Sequence, residues 1–257
     1  MQEFASAWTP HPGTAASAFE VQNERFLKIN LGGGVVGSTG GRALDFVWIK
    51  MGTMVAHVGG GEVKFEREGV LEHGFRHAMK KAFTSEGADL VRAHSKSRAP
   101  VSLFLAEQGK SVVLLRLAGD SVVVNGNDLL AFEPTGIKHT ITMMRNLSAL
   151  VSGGLFNVRL EGHGFVAILA HGKPIVLPVS SGHPPVFTDP QATVAWSGSL
   201  VSDFHTDVSF KTFIGRSSGE SFQMKFVAPQ AHNNGFVVVQ PYEEVPRPEA
   251  SKGASSG

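Results

Sequence analysis

The chain contains no cysteine. That absence excludes disulfides, thiol nucleophiles, thiolate zinc sites and cysteine-held iron–sulfur clusters together, and it fits a reducing compartment. An excess of one charge is missing too: 23 basic residues against 22 acidic ones leave a net charge of +1. Such a balance gives no bulk attraction for nucleic acid or an anionic membrane. Lys and Arg are dispersed, and the single tyrosine and three tryptophans lie far apart, so no aromatic–basic stripe signals RNA. Long apolar runs are also lacking. Val112–Leu115, Phe165–Ala170 and Phe236–Val239 fall well short of the ~20 residues a membrane helix needs. Residues Met1 to Trp8 lack the basic-then-apolar order of a secretory signal, and nothing resembles a mitochondrial transit peptide. The expectation is a cytoplasmic protein without a transmembrane segment.

Glycine, by contrast, is abundant at 30 residues, and much of it separates short β-prone runs. That pattern predicts a sandwich or barrel. One motif occurs three times: an alternating strand, a Gly-containing turn, then a near-continuous apolar strand. Its copies are Val101–Gly109 with Val112–Leu115, Phe156–Gly164 with Phe165–Leu169, and Phe222–Phe226 with Phe236–Val239 after a longer loop through Gly235. Gly109 precedes Pro134 by 25 residues and Gly164 precedes Pro190 by 26, so the equivalence extends past the turn. The fold class expected is all-β with one short helix, built as a repeated β-sandwich or double-stranded β-helix-like architecture with internal pseudo-symmetry. A single domain would span residues 1–245, with a disordered tail over 246–257 that has nothing to bury.

Phe26–Leu31 reads as the first strand, and Phe46–Ile49 as a buried one. Val63 and Phe65 alternate with Lys64 and Glu66, as in a half-buried strand. Asn125-Gly126 between Val122–Val124 and Leu129–Phe132 is the strongest short hairpin signal. The one predicted helix covers Leu71 to Phe83, because Leu71, Phe75, Met79 and Phe83 recur at i+4 steps and share one face.

Several motifs suggest chemistry and lack its context. Gly32-Gly-Gly34-Val-Val-Gly37 has dinucleotide-loop spacing, but Ser38-Thr-Gly-Gly41 follows where a helix must start. Ser217 sits in a Gly-x-Ser-x-Gly pattern followed by a strand, not the helix a nucleophile elbow requires. Asp203, His205 and Asp207 alternate on one strand face, opposite Phe204, Val208 and Phe210. A metal could use part of that row, although a solvent-facing row is the simpler reading. His73 and His77 lie one helical turn apart beside Glu72, without the His-Glu-x-x-His order or a third ligand. No catalytic, cofactor-binding or metal residue is assigned.

Gly154-Leu-Phe156, Gly162-His-Gly164, Asp189 with Val194-Ala-Trp196, Ser218-Gly-Glu220 and Val237-Val-Val-Gln240 carry a family likeness. The chain resembles the altered-inheritance-of-mitochondria (mitochondrial biogenesis) family over roughly residues 45–242. The loop Val227–Gly235 is longer than that family's usual compact turn. The resemblance implies a double-stranded β-helix-like fold, similar to the tryptophan-RNA-binding attenuation protein, and self-association. It implies no catalytic residue. The leading expectation is therefore a non-enzymatic structural or binding protein that forms homo-oligomers and takes no cofactor. A small-ligand or RNA-binding module and a metal-dependent enzyme on a cupin-like scaffold are the alternatives.

Overall fold

The structure is a computed structural model that describes residues 18–32, 43–67, 90–143, 156–206, 222–230 and 234–242. In chain order its strands are β1 (Phe19–Gln22), β2 (Phe26–Leu31), β3 (Phe46–Lys50), β4 (Met54–Gly59), β5 (Val63–Arg67) and β6 (Leu90–Ser95). There follow β7 (Val101–Leu105), β8 (Ser111–Asn125), β9 (Leu129–Phe132), β10 (Ile137–Met143) and β11 (Phe156–Ala170). The last are β12 (Ile175–Ser180), β13 (Val186–Thr188), β14 (Thr193–Ser197), β15 (Val201–Thr206), β16 (Phe222–Val227) and β17 (Asn234–Val239). They form a four-stranded sheet (β1-β2-β7-β4), a ten-stranded sheet (β12-β17-β14-β8-β11-β9-β3-β6-β5, with β10 also on β11) and a three-stranded sheet (β13-β16-β15). Among the described residues the fold is all-β apart from one 3-10 turn, Gly126–Asp128. The helix predicted over Leu71–Phe83 and the tail over 246–257 lie outside the described residues.

The spine is a ribbon of two 15-residue strands, β8 and β11, paired antiparallel from Asn125↔Asn157 to Ser111↔Ala170. The register breaks opposite Gly162–His163, where β8 carries one extra residue: Gly162 pairs with Asp120 and His163 with Ala118, and Gly119, at a φ of +98, is the bulged residue. On the other edge of β11, β10 pairs with Phe156–Gly162 and β9 with Val166–Ile168. The two halves of the ribbon face each other. Leu115, Leu117, Val166 and Ile168 from one half share a core with Val122, Val124, Val158 and Leu160 from the other. A bulge adds one residue to a strand and sharpens its bend and twist, which is how one ribbon serves two layers.

The outer faces of the folded ribbon are covered in turn. Val112, Leu114, Ala167 and Leu169 pack against Phe19, Leu27, Ile29, Leu103 and Leu105 of the four-stranded sheet. Val123 of the other half packs with Trp196, Met224, Phe226 and Val237, toward the three-stranded sheet. Three cores thus lie between four β layers. Strands buried on both faces carry continuous apolar runs, which accounts for Val112–Leu115 and Phe165–Ala170.

Several expectations need correction. β1 precedes Phe26–Leu31, so that strand is second in order. Gly162-His163-Gly164 is not a turn: β11 runs through it. Both glycines have positive φ, +128 and +148, which made the segment look like a reversal. An added Cβ at Gly162 would meet the Gly136 carbonyl oxygen, and one at Gly164 would meet the Glu133 carboxylate. Close approach of Glu133 and Gly136 to β11, opposite the bulged Gly119 of β8, therefore accounts for these glycines. Asn125-Gly126 does not close a hairpin either. Asn125 accepts a bond from the Asn127 N–H at 3.1 Å and opens the 3-10 turn. The flanking strands go to different neighbours, β8 to β11 and β14, and β9 to β11 and β3. In β3 only Val47 and Ile49 are buried; Phe46 and Trp48 are half-buried. Phe65 of β5 is 42% exposed, so that alternation is weaker than expected.

The first and third copies of the sequence pattern do step between layers. β7 and β8 belong to different sheets, as do β16 and β17. The second copy is one uninterrupted strand.

Candidate functional site

β3, β6 and β5 are adjacent, and their register sets one mixed face. Phe46 pairs with His94 and Trp48 with Arg92. On the far side of β6, Lys64 pairs with His94 and Glu66 with Arg92. Val47, Ile49, Val91 and Ala93 point into the first core. The period of two then places Phe46, Trp48, Arg92, His94, Lys64 and Glu66 together on the opposite face.

Trp48 stacks on the buried ring of Phe132, with centroids 6.4 Å apart and planes at 21°. His139 of β10 leans on both rings, 5.7 Å from Trp48 and 5.2 Å from Phe132. Phe46 meets Trp48 edge-on at 6.5 Å. The Arg92 guanidinium carbon sits 4.0 Å from the Phe46 ring centroid, a cation–π contact. Arg92 Nε and His94 Nδ1 are both buried without a hydrogen-bond partner. Lys64 Nζ lies 3.0 Å from Glu66 Oε1. Its hydrogen bond, with added help from His94 and Arg92, holds the exposed Glu66 carboxyl below the usual carboxylate range. The result is a shelf of aromatic rings beside two cationic or polar groups, suited to a flat or anionic group.

A second polar cluster ties loops together. Lys110 and Asp128 form an ion pair at 3.0 Å with 3% and 1% of their side chains exposed. Lys50 pairs with Glu107 at 2.6 Å and also donates to the Asn127 carbonyl at 2.7 Å. The end of β3, the β7–β8 loop and the 3-10 turn are thereby fastened together. Near the bulge, Glu133 accepts the Phe165 N–H at 3.1 Å. Arg159 donates to the Gly198 carbonyl and the Ser121 hydroxyl, each at 2.9 Å.

The residues singled out by sequence fall elsewhere. Asp203 is exposed on β15 opposite Lys225, and His205 lies two residues on, opposite Gln223. Asp207, Glu72, His73, His77, Gly33–Gly37 and Ser217 lie outside the described residues. Gly32 has a φ of +98 and donates its N–H to the Leu44 carbonyl at 2.9 Å, one of the two bonds of the parallel bridge between Leu31 and Leu44. Among the described residues no group of three or more His, Cys, Asp or Glu could hold a metal ion. No described helix is long and apolar enough to cross a membrane. Sequence reading missed the shelf. Its only local signal is Arg92-Ala-His94, an alternation that means nothing until β3 is known to lie beside it.

A family model described as mitochondrial biogenesis AIM24 matches residues 43–242. A crystal structure of a Streptococcus pyogenes protein is similar at 21% identity with a TM-score of 0.63, covering 88% of this chain and 92% of that one. At that identity the likeness shows the fold alone. No curated protein matches the chain.

Proposed function

The chain belongs to the mitochondrial biogenesis AIM24 family, and from that premise we propose that it is a non-enzymatic β-rich structural or binding protein that works as a homo-oligomer. The observation that carries the proposal is the exposure of apolar side chains on a strand that ends each of the three sheets. Val55 and Val58 on β4 are 55% and 65% exposed, Ile175 on β12 is 58% exposed and Val201 on β15 is 57% exposed. Apolar side chains along unpaired edges favour association. The described buried charges support a scaffold in their own way: Lys110, Asp128 and Glu133 fasten loops and the bulge. The architecture expected is the one of the tryptophan-RNA-binding attenuation protein. Balanced charge and the lack of cysteine support a cytoplasmic setting.

Light scattering on the purified chain at micromolar concentration tests this reading. A mass that is a multiple of 27.3 kDa is expected. A monomer at every concentration rejects self-association, and stoichiometric zinc, iron or manganese in the purified protein would favour a cupin-like enzyme instead.

The shelf of Phe46, Trp48, Arg92 and His94 favours a second reading, a binding module for a small flat anion. Aromatic carboxylates are the probe. Quenching of Trp48 fluorescence that disappears in Arg92→Ala supports it; no quenching at millimolar ligand rejects it.

A further inference from the structure

Edge strands of natural sheets are protected by charge, proline or shortness. Most edges here follow that rule. β5 carries Lys64, Glu66 and Arg67, β12 carries Pro178, and β15 carries Asp203. β10 carries Lys138, β1 has only four residues including Glu20, and β13 has three. β4 is different. Its six residues, Met54-Val-Ala-His-Val-Gly59, include no proline and no Lys, Arg, Asp or Glu.

β4 ends the four-stranded sheet, with β7 on one side and, among the described residues, no strand on the other. Every residue from Val55 to Gly59 is exposed. The register sets Ala56 beside Phe104 and Val58 beside Ser102 on the outer face, and His57 beside Leu103 on the inner one. An apolar strip of that outer face therefore adjoins the open edge. Ala56, Val58 and Phe104 are its apolar members; Ser102 donates to Asn30 at 2.9 Å, and the Lys28–Glu20 ion pair at 3.2 Å lies on β2 and β1, toward the opposite edge.

We propose that the open side of β4 pairs antiparallel with β4 of a second copy of this chain, joining two four-stranded sheets into one. The inference rests on the self-association reading above and names its surface. An uncharged edge is compatible with itself, because a two-fold antiparallel pair sets the same short segment against itself with no like charges opposed. The bulge at Val55 confines the regular ladder to Ala56–Gly59. So short a ladder buries less than the ~800 Å² per partner of a standard interface, which makes the pair concentration-dependent. His57 lies within about one residue of the two-fold axis in each register centred between Ala56 and Val58.

Sedimentation velocity on the full chain tests the proposal with two exposed-site variants, His57→Lys and His57→Glu, whose fold is checked by circular dichroism. The wild type is expected to associate. Each variant should associate about fivefold more weakly, because like charges then meet near the axis, and an equimolar mixture of the two should recover. Lys138→Gln on the β10 edge should leave association unchanged. A wild type that associates while both His57 variants match it overturns this surface and leaves the self-association reading intact. A wild type that stays monomeric overturns both, and a mixture that fails to recover overturns the paired geometry.

Discussion

Asp128→Asn is the most informative single change to the scaffold. Asp128 is 1% exposed and lies 3.0 Å from the Lys110 ammonium, itself 3% exposed. The substitution removes one charge and leaves the other buried. Breaking a buried ion pair from one side costs about 3–5 kcal/mol, a large share of the ~5–15 kcal/mol that stabilises a typical domain. At about 2 °C per kcal/mol for a chain of this size, Tm should fall by about 6–10 °C. Removing both charges at once, in Lys110→Met with Asp128→Leu, should recover most of that loss, since an apolar pair of similar volume is often neutral. Calorimetry and urea unfolding of the wild type, Lys110→Met, Asp128→Leu and the double variant complete the cycle, with Asp128→Asn measured beside them. A single variant within about 1 kcal/mol of the wild type would refute the reasoning. So would a double variant no better than either single one, because the pair would then not be the coupled unit that fastens the β7–β8 loop to the 3-10 turn.

Other predictions concern the bulge and the shelf. Gly162→Ala sets a Cβ against the Gly136 carbonyl at a φ of +128, and should cost at least about 1–3 kcal/mol in thermal unfolding; an unchanged Tm would mean that the Gly136 carbonyl does not press on β11 there. Phe132→Ala removes the ring under Trp48 and should cost about 3–5 kcal/mol, with a red shift in tryptophan emission; unshifted emission would contradict the stacking. Glu66 titrates below the usual carboxylate range because of Lys64. Its favourable contribution is therefore present above the ordinary carboxylate pKa and is lost as pH falls through the lowered one. Carbon-detected NMR should show its midpoint rising in Lys64→Met, and a midpoint that stays put would assign the shift to another neighbour.

The fold was legible where its determinants are local. Period-two patterns marked Phe26–Leu31, Val101–Leu105 and Phe222–Phe226, because one buried face forces that alternation. It was misread where one local cue serves two geometries. Gly162 and Gly164 have the positive φ of a turn, yet the same freedom lets an unbroken β11 pass close to Gly136 and Glu133. Asn125-Gly126 has hairpin chemistry, yet β8 already has β11 on one edge and β14 on the other, so β9 must pair elsewhere. The shelf was hidden for a different reason. Phe46 and Trp48 stand far along the chain from Arg92 and His94, and only the β3–β6 register brings them together. Phe46–Ile49 read as a uniformly buried run, whereas its two aromatic rings face away from the side chains of Val47 and Ile49.

Hydrogen–deuterium exchange at two protein concentrations tests self-association through an open sheet edge most directly. Between about 1 and 100 µM, a range suited to a sub-standard interface, amides in Met54–Gly59 should become markedly slower to exchange, while the charged edge Val63–Arg67 stays constant. Exchange across Met54–Gly59 that is fast and identical at both concentrations would contradict the account.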